Sequence, residues 1–247
     1  MHQDVLQVDY TELNDSIGSS NGLAVIGNLP YYITSQILFA LADASHYDSV
    51  RSATVTMQLE VGQRLVAKPS TKAYGILSVV FQIYAEARLH FKIPPTVFYP
   101  KPKVDSALVG LNFLRAEDLR SRFSGVDPSD LRKVLTATFQ QRRKCVRSSL
   151  KKILLQIHGR DSSKVAEILS AAPSQPPPEV MASAKAGDEF AASQFLPENW
   201  ASRRPEEFKP AQFIELTRHI YGDGSVKGAD LGRKVWRKAK HGKSDKA

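Results

Sequence analysis

The chain has 247 residues, 42% of them hydrophobic, with a formal net charge of +9 and a pI near 9.6. That length buries a sizeable core in one or two domains, and the charge points to a polyanionic partner, nucleic acid ahead of a membrane surface. No apolar run approaches the ~20 residues that cross a bilayer, the one cysteine (Cys145) excludes an internal disulfide, and the scattered histidines support neither zinc nor Ser-His chemistry.

In chain order, Met1 to Val8 reads as the end of a strand with Asp4 at its exit, and Asp15 to Asn21 as a loop. Leu23 to Ile26 is a short buried strand that delivers the stretch Ile26-Gly-Asn-Leu-Pro-Tyr-Tyr-Ile33. A helix follows, capped by Thr34 or Ser35, with Ile37, Leu38 and Leu41 on one face. Ser52 to Gln58 alternates Ala53, Val55 and Met57 and leads into a helix through Glu60, Arg64 and Leu65. Lys68 to Tyr74 is a polar loop, and Tyr74 to Tyr84 has helical spacing with Leu77, Val80, Phe81 and Tyr84 as core. Ala87 to Ile93 alternates as a strand up to Pro94-Pro95; Pro100 and Pro102 stiffen the segment carrying Phe98, and Ser106 to Phe113 closes the sheet.

A second unit begins near Arg115. Asp127 as cap and Pro128 at the first helical position open a helix whose apolar face is Leu131, Val134, Leu135, Thr138 and Phe139. From Arg142 to Lys152 there are six Lys/Arg and no acid, a pattern that serves either as a solvated face or as a phosphate-binding one. Val165 to Leu169 is a further short helix. The segment at about 171–197, rich in proline and small residues, reads as a flexible insertion. Pro210 to Tyr221 predicts a helix packing Phe213, Leu216 and Ile220, and residues 223–247 form a basic tail expected to lack structure by itself.

Asn28-Leu29-Pro30-Tyr31 is where chemistry is expected, because it lies at the carboxyl end of a strand in an α/β sheet. An exocyclic amine on a flat base is a poor nucleophile, since its lone pair is delocalised into the ring. Two acceptors, the Asn28 side-chain oxygen and the Leu29 carbonyl, would draw that nitrogen towards tetrahedral geometry. Pro30 fixes the backbone, and Tyr31 offers a face for stacking. On the tetrapeptide alone, a plain strand-to-helix turn with surface tyrosines is equally open.

Together with Phe98-Tyr-Pro-Lys-Pro-Lys-Val-Asp-Ser-Ala107, Thr56-Met-Gln-Leu-Glu-Val-Gly-Gln-Arg64, Tyr74-Gly-Ile-Leu-Ser78 and Phe139-Gln-Gln-Arg-Arg-Lys144, this turn resembles the adenine-N6 dimethyltransferases of small-subunit ribosomal RNA. The resemblance runs from His2 to about Gly222. It implies an α/β fold, a partial Rossmann-like S-adenosylmethionine-dependent methyltransferase domain over 1–114, followed by a small all-α domain over 115–222. It also implies transfer of methyl groups to adenines near the 3′ end of small-subunit rRNA, with no metal, by a monomer that contacts rRNA or the pre-ribosomal small subunit and no membrane. By the same resemblance, Asn28, Leu29, Pro30, Tyr31 and Phe98 are the catalytic set, with Phe98 stacking on the adenine from the face opposite Tyr31. Asp4 and Asn28 would touch S-adenosylmethionine, and Lys68, Lys72, Lys101, Lys103, Arg142, Arg143, Lys144 and Arg147 would touch RNA.

The resemblance sets residue 1 near the family's third strand, so the glycine-rich cofactor turn is not found before Asp4, an apolar sheet edge is expected, and the 247-residue chain is not expected to bind the cofactor measurably. A catalytically silent RNA-binding or ribosome-assembly protein, or an organellar transcription-factor relative, is the alternative. The expected location is a plastid or mitochondrion in a eukaryote and the cytoplasm in a bacterium.

Overall fold

The computed structural model describes residues 3–173 and 175–222, and the basic tail expected over 223–247 lies outside them. Period-two alternation of β-branched and apolar residues builds one sheet from β1 (Leu23–Asn28), β2 (Val50–Gln58), β3 (Ala85–Ile93) and β4 (Ser106–Phe113). The order is β1-β2-β4-β3; β1 runs parallel to β2, and β4 lies antiparallel between β2 and β3. Ala53, Val55 and Met57 are fully buried, as their alternation requires. β1 is an edge strand on which Ile26 is 84% exposed.

Helices connect and cover the strands: α1 (Tyr10–Ser16), α2 (Thr34–Ser45), α3 (Leu59–Leu65) and α4 (Ile76–Tyr84). The strand expected at Met1 to Val8 is not formed over its described part. Asp4 instead closes a turn, accepting the Leu6 N–H on Oδ1 at 2.9 Å and the Gln7 N–H on its carbonyl at 2.8 Å. A short acceptor side chain of this kind competes with ladder pairing. α1 is an addition to the sequence reading, started by Asp9, whose Oδ1 accepts from the N–H groups of Thr11 and Glu12. Neither Thr34 nor Ser35 caps α2. The cap position is Ile33, and Thr34 is buried one residue inside, its hydroxyl donating to the Pro30 carbonyl at 2.9 Å.

The second unit is helical: α5 (Ala116–Phe123), α6 (Pro128–Gln140), α7 (Val146–Ile157), α8 (Ser162–Ser170), α9 (Pro178–Lys185), α10 (Glu189–Ala192) and α11 (Pro210–Tyr221). Asp127 and Pro128 open α6 as expected, the Ser129 N–H donating to Asp127 Oδ1 at 2.6 Å. The segment 171–197 is not without structure. α9 starts at a proline and continues through good helix formers, Asp188 caps α10, and Val180, Ala191 and Leu196 are buried. The Arg122 guanidinium lies 4.2 Å from the Phe190 ring centroid, which holds this segment to α5.

One apolar core runs through both units, with α4 as their common wall: it packs on α3 and β3 on one side and on α5, α6 and α11 on the other. Aromatic rings continue the contact, Tyr74 to Phe139 at 6.2 Å, Phe139 to Phe213 at 5.6 Å and Phe213 to Phe208 at 5.5 Å between centroids. The Tyr74 hydroxyl donates to the Phe208 carbonyl at 2.8 Å.

At the far side of α4, buried His46 is hydrogen-bonded to the Tyr84 hydroxyl at 2.8 Å and packs beside Phe123. Burial lowers its pKa from 6.5 to about 4. Because the folded value lies below the unfolded one, its stabilising contribution is complete above about pH 6.5 and is lost as the pH falls towards 4, on the order of 3 kcal/mol in all. The melting temperature is therefore expected to fall more steeply between pH 6.5 and 4 in the unsubstituted chain than in His46→Gln, a difference readable by circular dichroism.

Candidate active site

Register brings the expected site residues of β1 and of the segment after β3 to one end of the sheet. Asn28 at the end of β1 pairs with Thr56 near the end of β2, while Ser106 at the start of β4 pairs with Gln58 of β2 and Ile93 at the end of β3. The turn after β1 and the segment 94–105 that carries Phe98 therefore leave the sheet at the same end.

Asn28 is exposed, and its Oδ1 accepts a hydrogen bond from the Thr56 hydroxyl at 2.6 Å. A carbonyl-type oxygen has two lone pairs, so this bond fixes the amide and leaves one acceptor site open. The Leu29 N–H donates to the Thr56 carbonyl at 2.9 Å, which extends the β1–β2 ladder by one residue. With its side chain buried, Leu29 holds its carbonyl in a set direction, and among the described residues nothing donates to that oxygen. The next carbonyl, that of Pro30, is engaged by the Ile33 N–H and the Thr34 hydroxyl. Tyr31 is half-buried, and its hydroxyl is hydrogen-bonded to Ser106 Oγ at 2.6 Å, which anchors the ring across to β4. Phe98 is also half-buried, at the end of a short 3-10 turn over Pro95–Val97 where its N–H donates to the Pro95 carbonyl at 3.2 Å.

The remaining expected residues divide. Asp4 is exposed and its hydrogen bonds are local, to Leu6 and Gln7; among the described residues none joins it to the Asn28 turn. Lys68, Lys72, Lys101 and Lys103 are exposed, as are Arg143, Lys144 and Arg147. Arg142 differs from its neighbours. Its Nε donates to Glu206 Oε2 at 2.6 Å, and its two terminal nitrogens donate to the carbonyls of Lys72 at 2.6 Å and Thr71 at 2.7 Å. The Ser70 N–H also donates to the Glu206 carbonyl at 2.7 Å. Arg142 thus ties the polar loop 68–74 to the helical unit, with three of its N–H groups engaged inside the chain.

Three residues that hold these expected residues in place were not singled out in sequence: Thr56, Ser106 and Glu206. The first two lie inside stretches that carried the family resemblance, so a signal was present. Glu206, 64 residues from Arg142, gave none. Among the described residues no group of three or more His, Cys, Asp or Glu is placed to hold a metal ion. No described helix is long and apolar enough to cross a membrane.

A mixed sheet with its acceptor-bearing turn at the strand ends and a helical unit packed alongside is part of a Rossmann-like methyltransferase fold with an all-α attachment. The same architecture occurs in the crystal structure of a dimethyladenosine transferase from Plasmodium falciparum, which superposes with a TM-score of 0.57 over 87% of this chain and 70% of that one at 18% identity. The chain belongs to the ribosomal RNA adenine dimethylase family, whose model matches residues 1–172. Ribosomal RNA small subunit methyltransferase A of Salinibacter ruber is 37% identical over 215 residues, covering 86% of this chain and 57% of that protein. The protein of the same name from Desulfitobacterium hafniense is 40% identical over 171 residues, covering 68% of this chain and 57% of that protein. The chain thus spans little more than half the length of these relatives.

Proposed function

We propose that this chain forms the adenine-handling and RNA-binding part of an enzyme that transfers methyl groups from S-adenosylmethionine to N6 of adenines near the 3′ end of small-subunit rRNA. The observation that carries the reading is the pair of acceptors at the end of β1: Asn28 Oδ1, oriented by Thr56, and the Leu29 carbonyl, which has no partner within the described residues.

Each acceptor takes one hydrogen of the adenine amine. The amine is held in one orientation and its nitrogen is drawn out of conjugation, so its lone pair points away from the turn. The bound cofactor supplies an electrophilic methyl group on a sulfonium. The donor set fits the methyl-bearing end of such a group, since oxygen acceptors suit a site where positive charge sits. Exposed Asp4 retains acceptor capacity for an adenine amine beyond its bonds to Leu6 and Gln7. The proton shed by the substituted nitrogen lies against Asn28 Oδ1 or the Leu29 oxygen and leaves to water. Tyr31 and Phe98 supply faces for a base taken out of its stack, and the exposed lysines at positions 68, 72, 101 and 103, with Arg143, Lys144 and Arg147, meet phosphate.

The test is the N6,N6-dimethyladenosine content of small-subunit rRNA, read by mass spectrometry in cells with the gene intact and deleted. Disappearance of the modification on deletion supports the proposal. Unchanged modification with disturbed subunit assembly favours the silent RNA-binding alternative instead.

Two expected results refine the site. Tyr31→Ala and Phe98→Ala each weaken handling of the target base by about 1–3 kcal/mol, the usual strength of base stacking, measured as loss of kcat/KM with the melting temperature checked alongside. Thr56→Val keeps the shape of the strand and removes the hydroxyl that orients Asn28. It is expected to lower kcat roughly tenfold with KM for RNA unchanged, a positioning effect rather than a binding one.

A further inference from the structure

The α6–α7 hairpin carries a groove of about 660 Å³ that the methyl-transfer site does not use. Half-buried Ala137 and Ile153 are among its lining residues, together with exposed Gln140, Gln156 and Lys152 and with Arg132. That volume falls in the range, roughly 300–1,000 Å³, that holds small organic ligands, and a single nucleotide fits within it.

Charge identifies the occupant. Between Leu131 and Arg160 there are nine Lys/Arg and no Asp or Glu, which equals the formal net charge of the whole chain, +9. Arg142 and Lys133 are paired, with Glu206 and Asp130 respectively, but Arg143, Lys144, Arg147, Lys151 and Lys152 are exposed. A concentrated positive field around a cleft draws a polyanion. A membrane surface is too flat to enter a groove between two helices. An RNA strand has both of the parts this site accommodates: phosphates for the cationic rim, and a flat apolar base with a hydrogen-bonding edge for the interior. Primary amides such as Gln140 and Gln156 present a donor and an acceptor side by side, the pattern that reads a base edge.

We propose that the α6–α7 groove seats one bulged nucleotide of a structured RNA, its base resting on Ala137 and Ile153 between Gln140 and Gln156, and its flanking phosphates on Lys152 and the neighbouring cations. The proposal rests on the RNA-binding part of the reading above and not on methyl transfer. The groove gives the helical unit a means of recognising an RNA by the position of an unpaired nucleotide, a shape signal of the kind single-stranded and bulged sites supply.

The experiment compares two fluorescently labelled RNA hairpins that differ only by a single bulged adenine, titrated with the 247-residue chain. The bulged hairpin is expected to bind roughly 5- to 160-fold more tightly, the fold-change that stacking of one base gives. The Gln140→Ala/Gln156→Ala double variant, both positions exposed and therefore safe for the fold, reduces that preference at least severalfold with the plain hairpin unaffected. Ala137→Phe, which fills the groove, abolishes it. Lys152→Ala weakens both hairpins and lowers the log–log salt slope by about one. Equal affinity of the unsubstituted chain for the two hairpins, or equal losses in the double variant, overturns the groove assignment while leaving the methyl-transfer proposal standing. Displacement of the bulged RNA by polyglutamate at matching charge concentration overturns the choice of RNA as the occupant.

Discussion

Replacing Asn28 with alanine is expected to slow methyl transfer by at least ~100-fold, the scale of losing one oriented polar contact to a reacting group, while RNA affinity stays within about twofold. Asn28 is exposed at the end of an edge strand, so truncation leaves no cavity and the melting temperature should hold. The Thr56 hydroxyl released by the change turns to water. RNA affinity comes from many phosphate contacts and one amine contributes little to it. Asn28→Asp keeps an oxygen that both the Thr56 hydroxyl and the adenine amine are able to donate to, and it should fall between the two. Single-turnover methylation and gel shifts on the same samples decide the matter. Full activity in Asn28→Ala would remove the residue from the mechanism.

Arg142→Ala is expected to destabilise the chain by about 2–4 kcal/mol, because three charge-assisted hydrogen bonds disappear together and the partly buried Glu206 carboxylate loses its cation. Denaturant midpoints measure this. Lysine at the same position restores the charge without the planar fork and should recover only part of the loss. The companion result concerns salt. Neutralising Arg143 and Lys144 together should flatten the log–log dependence of RNA binding by about two, and adding Arg142→Gln should flatten it no further. An additional drop of one unit with unchanged stability would return Arg142 to the RNA-facing set.

What the sequence disclosed follows the range of the forces involved. β2 was legible because Ala53, Val55 and Met57 alternate. The start of α6 was legible because an Asp-Pro cap acts within one turn. α1 was missed since its seven residues carry too little apolar periodicity to be seen, and its one strong signal, the Asp9 cap, precedes a mixed sequence. The helices of 171–197 were hidden by composition: prolines and alanines read as disorder until Val180, Ala191 and Leu196 find a surface to bury against. The turn from Asn28 to Tyr31 stood out by residue type, but the partners that orient it, Thr56 and Ser106, are reached only through the register of the sheet. Arg142 was concealed by its own surroundings, since a run of like charges shows nothing of the single member whose acceptors lie 64, 70 and 71 residues away.

The common wall formed by α4 has a consequence for how this chain comes apart. Residues on both of its sides lose their packing when it moves, and the rings from Tyr74 through Phe139 and Phe213 to Phe208 cross the point at which strands give way to helices. Neither half retains a closed interior without the other. Heating or denaturant should therefore melt the sheet and the helices in a single cooperative transition, with tryptophan fluorescence from Trp200 and far-ultraviolet ellipticity giving the same midpoint. A protease nick near Arg115 should leave the two pieces associated until that transition is reached.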